Sequence, residues 1–180
     1  MKKLIFQTAL LCLCLIFFGN NVKAQFNPFA NDQKMLTAGI GFSSWGTPIF
    51  GRLVFPVADY ITVGGSLSYQ SNSERFLGGK WKHTIVGIGA RGNYHFNELL
   101  GVSDEWDFYA GATLGYYVWN TKAQSGFLDD DIYTGSGSGG LGLGIQIGGR
   151  YFFNDKFAVN LEYGGGSVLS SGTLGLTIML

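Results

Sequence analysis

From Leu141 to Phe153 apolar and polar positions alternate. Leu141, Leu143, Ile145, Ile147, Gly149, Tyr151 and Phe153 lie on one side, and Gly142, Gly144, Gln146, Gly148, Arg150 and Phe152 on the other. After Asn154-Asp155-Lys156 the alternation resumes, with Phe157, Val159, Leu161 and Tyr163 against Ala158, Asn160 and Glu162. A period of two broken by a short turn cluster predicts a β-hairpin. A three-residue turn opposes Phe153 to Phe157, and therefore Arg150 to Asn160 and Gly148 to Glu162. The second face is glycine, Gln, Asn and a few charges, without the Lys, Glu and Thr veneer that faces water. Such strands suit a wall with lipid outside and a crowded polar interior.

The design recurs along the chain. Strands are expected over 34–44, 49–55, 60–70, 83–96, 106–120, 141–153, 157–163 and 172–180. Tyr60–Gln70 is the clearest, with Ile61, Val63, Gly65, Leu67 and Tyr69 against Thr62, Gly64, Ser66, Ser68 and Gln70. Eight strands, each near the ~9–11 residues of a tilted membrane strand, predict an all-β, antiparallel, up-and-down transmembrane β-barrel. With the N-terminus in the periplasm, connections 45–48, 71–82, 121–138 and 164–171 face outside, and 56–59, 97–105 and 154–156 face the periplasm. The two longest then fall outside, where such barrels carry their long loops. Phe55, Tyr60, Phe96, Phe108, Tyr151, Phe153 and Phe157 gather at the periplasmic rim, and Trp45, Tyr69 and Trp119 near the outer one. A soluble barrel or sandwich turns its apolar face inward and needs a charged face toward water. Here that face is glycine and serine, which suits a narrow bore better.

Composition sharpens this picture. The 180 residues are 13% charged with 29 glycines, against roughly 25% charged and about 7% Gly in soluble domains. Met1–Ala24 reads as a cleavable signal peptide. Lys2 and Lys3 precede an apolar run over Leu4–Phe18, and Val22-Lys23-Ala24 is a small-x-small site before Gln25. Residues 25–33 then form a periplasmic lead-in and 34–180 the barrel. Both cysteines, Cys12 and Cys14, fall in the leader, so neither disulfides nor thiol chemistry are expected of the mature chain. Without the leader, nine basic residues face twelve acidic ones, a charge of −3 that gives no footprint for nucleic acid.

The leader, the eight alternating strands and the tail resemble the small outer-membrane β-barrels of the OmpX and OmpA-barrel type. Gln after the cleavage site and the stretch RYFFNDKFAVNLEYG look like those of Bacteroidetes. The tail carries the most specific likeness. Thr173, Gly175, Ile178 and Leu180 fit the register of the family's assembly signal, with Leu180 where an aromatic is usual. The resemblance implies an outer-membrane location and, as partners, membrane lipid, lipopolysaccharide and the β-barrel assembly machinery.

Five charges fall on inward positions: Arg52, Arg91, Asp107, Arg150 and Glu162. An eight-stranded bore is only wide enough for side chains, so a packed ion-pair network is expected rather than a selectivity ring. Arg150 and Glu162, as diagonal neighbours, are expected to meet. The two histidines, His83 and His95, lie at opposite ends of one strand, roughly 40 Å apart before twist, too far to share a metal. His83 stands at the level where a lipid A acyltransferase or deacylase would work, but no serine follows two residues on. Asp129-Asp130-Asp131 lacks EF-hand spacing and sits in a Gly/Ser-rich stretch, so a solvated loop is expected rather than a Ca²⁺ site. The expectation is a barrel without catalysis or cofactor, serving membrane integrity or contact with an extracellular partner through 71–82 and 121–138. A lipid A-modifying enzyme and a narrow solute channel are the alternatives.

Overall fold

The structure, a computed structural model, describes residues 33–43, 46–76, 79–125, 137–167 and 171–180. The expected leader and its Ala24–Gln25 cleavage point, Trp45 and Asp129–Asp131 lie outside the described residues. Among the described residues eight strands run in order: β1 (Met35–Phe42), β2 (Ile49–Ala58), β3 (Ile61–Phe76), β4 (Gly79–His95), β5 (Trp106–Ser125), β6 (Gly137–Phe152), β7 (Phe157–Gly166) and β8 (Ser171–Met179), with one short helix, α1 (Asn97–Leu100), between β4 and β5. Each strand pairs antiparallel with the next, and β8 returns to β1 from Met35↔Met179 to Phe42↔Gly172, closing the barrel. Closure removes every sheet edge along the seam, as hydrocarbon demands.

The alternation decides which way each side chain points. Ile145 is 72% exposed and Leu143 63%, whereas Thr37 is 2% exposed and Asp107 fully buried. The molecule is therefore built inside out, apolar side chains outward and polar ones inward. Ile61 and Val63 of β3 obey the same rule, at 40% and 41%. At the end carrying Lys34 and Leu180 (the near end), Trp106 stacks on Phe108 at 5.4 Å and meets Tyr151 at 4.9 Å. Such aromatics suit the boundary between hydrocarbon and water.

The wall is uneven. β3 to β6 are 16, 17, 20 and 16 residues long, whereas β1, β2, β7 and β8 have 8, 10, 10 and 9. The β2 ladder on β3 stops at Ile49↔Tyr69 and the β7 ladder on β6 at Gly144↔Gly166. Beyond those points the four middle strands continue as a sheet at the far end. Residues 71–82 are thus mostly not the loop that their polarity suggests. The β3–β4 ladder continues through Asn72↔His83 and Glu74↔Trp81 to Phe76↔Gly79. Past the apolar belt a strand needs no greasy face, so its hydrogen bonds persist where the hydrophobic signal ends. Likewise β5 runs on to Ser125 and β6 starts at Gly137, which shortens the connection expected over 121–138.

The expected turn at 56–59 is also strand up to Ala58. Pro56, which cannot donate to a ladder, is accommodated by a bulge between Pro56 and Ala58. Tyr60 then turns the chain at φ 64°, the one non-glycine residue at positive φ among those described. The adjoining Glu98 carboxylate holds its hydroxyl above the usual phenol range.

Candidate functional site

The bore is the place where this chain concentrates chemistry. At the near end Met35, Val54, Phe152, Ala158 and Met179 form an apolar plug, each at most 5% exposed. They occupy inward positions, where rules based on alternating polarity expect hydrophilic residues. At the mouth of a narrow barrel, however, they exclude water from the charges above.

The first charged layer follows. His95 Nδ1 donates to Asp107 Oδ1 at 2.6 Å, and His95 Nε2 lies 2.9 Å from Thr62 Oγ1. Arg150 Nη1 pairs with the other Asp107 oxygen, and its guanidinium lies 4.3 Å from the centre of the Tyr109 ring. Thr37 and Thr177 share a hydrogen bond of 2.7 Å across the β1–β8 seam. Both carboxylate oxygens of Asp107 are thus occupied, which a fully buried carboxylate requires.

Glu162 centres the second layer. Its Oε1 lies 3.0 Å from Arg52 Nη2 and its Oε2 2.6 Å from Arg91 Nη2. The Tyr109 hydroxyl donates to Oε2 at 2.8 Å and accepts from Asn160 Nδ2 at 2.8 Å. Tyr109 therefore links the layers, its ring against Arg150 and its hydroxyl on Glu162. Arg52 also donates to Thr173 Oγ1 at 3.2 Å and lies 3.9 Å from the centre of the Phe50 ring. Gln146 reaches Asn93 at 3.0 Å and accepts from Thr113 at 3.1 Å, extending the network toward the far end.

The structure thus brings Arg52, Arg91 and Glu162 together in one cluster, and Asp107 with Arg150 in another. It does not join Arg150 to Glu162. The register expected for the β6–β7 hairpin is present, Arg150↔Asn160 and Gly148↔Glu162. Asp107, however, lies directly opposite Arg150 on β5, and a direct cross-strand partner wins over a diagonal one. Trp119 is corrected as well. It shares the inward parity of Tyr117, whose ring lies 6.4 Å away, so it faces the bore and not the membrane rim.

Tyr109 needs a glycine beside it. A Cβ at Gly148, its cross-strand partner, would fall 2.6 Å from the Tyr109 Cζ and hydroxyl and 3.0 Å from the Leu161 carbonyl oxygen. Gly148→Val is expected to displace the ring and cost about 1–3 kcal/mol, read as a lower urea midpoint for the folded barrel.

Thr62, His95 and Asp107 stand in the hydroxyl–imidazole–carboxylate order of hydrolytic triads. All three are fully buried, and Thr62 also accepts from Asn93 Nδ2 at 3.3 Å. The hydroxyl presents no accessible surface, and the trio is held within the buried hydrogen-bond network. His83 stands apart, with Nδ1 3.0 Å from Thr121 Oγ1. Among the described residues no group of His, Cys, Asp and Glu could hold a metal.

On the far side of the Arg52–Glu162–Arg91 cluster lies a cavity of about 140 Å³, bounded among others by Ser66, Ser68, Thr113, Tyr117 and Gln146.

No protein-family model matches the chain, and no curated protein sequence does. Solved structures do resemble it. The N-terminal β-barrel domain of Pseudomonas aeruginosa OprF superposes with a TM-score of 0.52 at 15% identity, over 83% of this chain and 98% of that one. Neisserial surface protein A gives 0.51 at 16% identity, over 82% and 94%. A de novo designed transmembrane β-barrel gives 0.50 at 15% identity, over 83% and 96%. That a designed protein aligns about as well as natural ones makes this a likeness of architecture and not of role. The chain has the fold of the small eight-stranded outer-membrane β-barrels.

Proposed function

We propose that this chain is a non-enzymatic protein of the bacterial outer membrane, of the kind found in Bacteroidetes, with a role in membrane integrity and in contact with the cell exterior. The observation that carries the reading is the bore itself. Two tiers of ion pairs stand above an apolar plug, and each buried carboxylate in them is paired with arginine. The apolar outer belt and the neighbouring structures support the location. The sheet of β3 to β6, which rises beyond its short neighbours, supports the surface role, since it is the part best placed to meet a partner. In this reading Met1–Ala24 directs export, and Thr173, Gly175, Ile178 and Leu180 are read by the assembly machinery. The outer belt then meets lipid and lipopolysaccharide.

Two measurements test the reading. Purified barrel inserted into planar bilayers is expected to stay electrically silent, and discrete conductance steps would make it a channel instead. Mass spectrometry of lipid A from cells with and without the gene is expected to give one acylation pattern. A difference would restore the enzyme alternative.

A further inference from the structure

Beyond this structural role, the bore carries a charge imbalance that calls for a ligand. Three guanidiniums, Arg52, Arg91 and Arg150, share two carboxylates, Asp107 and Glu162. Asp107 is used up by His95 and Arg150. Glu162 divides its oxygens between Arg52 and Arg91 and also takes the Tyr109 hydroxyl. The second layer is therefore left with two cations on one anion. Arg52 Nη1 and Arg91 Nε have no hydrogen-bond partner among the described residues. An uncompensated charge is costly in a low-dielectric interior.

The cavity adjoins this surplus. Arg52 and Arg91 line it, with Arg52 keeping 12% of its side chain accessible. Its polar wall offers the hydroxyls of Ser66, Ser68, Thr113 and Thr173, and its only carboxylate among the described residues is the already divided Glu162. Water-sized space of this volume far exceeds the ~10–15 Å³ that one water needs. The apolar plug blocks the opposite end of the bore, so the cavity is a blind recess and not a segment of a path.

We propose that this recess binds a small oxyanion, held by Arg52 and Arg91 and by the surrounding hydroxyls. Planar guanidinium forks suit oxyanions, and hydrogen bonds to ionised groups are about twice as strong as neutral ones. Because the recess lies inside the ring of strands, its ligand is a free solute and not a lipid headgroup from the surrounding leaflet.

The test titrates inorganic phosphate into the folded full-length chain in maltoside micelles, by calorimetry, with sodium chloride at matched ionic strength as the control. Saturable binding at one site per chain is expected with phosphate and not with chloride. Two variants locate it. Arg52→Gln leaves Glu162 paired to Arg91 and is expected to weaken phosphate binding on the order of tenfold or more. Ser66→Leu fills the recess without touching an ion pair and is expected to abolish the signal, which keeps the test decisive should Arg52→Gln not fold. Heat that follows ionic strength alone, or saturable binding that survives Ser66→Leu, overturns the proposal. Silent bilayers leave this outcome unaffected, so the site and the structural role fail or stand separately.

Discussion

Replacing Glu162 with alanine is expected to destabilise the barrel by roughly 3–5 kcal/mol, because it leaves the buried Arg91 and the largely enclosed Arg52 facing each other without a countercharge. Glu162 is 6% exposed and carries both Arg52 and Arg91. Its removal also strips the Tyr109 hydroxyl of its acceptor. Urea titration of the folded species in micelles reads the effect as a fall in midpoint. The control is the triple change Arg52→Met, Arg91→Met and Glu162→Met. Removing charge and countercharge together leaves no stranded ion, so this variant is expected to lie far closer to the parent. Equal losses from the single and the triple change would show that packing volume, and not charge, sets the cost.

Asp107→Ala is expected to cost about as much, on the order of 3–5 kcal/mol. Asp107 is fully buried and is the partner of both Arg150 and His95. Here the diagnostic is a double-mutant cycle. With Arg150 already changed to Met, the further loss of Asp107 is expected to cost much less than it does alone, by roughly 0.5–3 kcal/mol of coupling or more. Additive losses would mean that the pair contributes nothing beyond its separate side chains. A weaker coupling is also expected between Asp107→Ala and Glu162→Ala, since Tyr109 lies against Arg150, the partner of Asp107, and donates to Glu162 itself.

Alternation with a glycine-rich second face placed the side chains on their faces, because in a strand one residue of shift reverses every side chain. It could not give strand length at the far end. Ser71 to Arg75, and Lys80 and Lys82 on either side of Trp81, look like loop because they are polar and charged, yet their ladder continues. The β6–β7 register followed from the brevity of Asn154-Asp155-Lys156. The β4–β5 register did not, since the connection over 97–105, with α1 inside it, allows many alignments. That is why the His95–Asp107 contact was hidden although both residues sit on inward positions. Alternation likewise put Arg52, Arg91, Asp107, Arg150 and Glu162 inside without saying which of them meet. Trp119 shows another limit: its residue type suits a membrane rim, while its parity matches that of the bore-facing Tyr117. Met35 and Met179 show the converse, apolar residues on a face otherwise polar.

The seam between β1 and β8 has a consequence for how the protein is made. On one side β1 has β8 as its hydrogen-bonded partner, from Met35↔Met179 onward. No earlier strand can satisfy the open backbone of β1 on that side, and an incomplete ring presents bare peptide groups to hydrocarbon. The ring therefore cannot close before β8 has been made. Any chain truncated before Gly172 should be left for proteases rather than accumulate as a stable fragment.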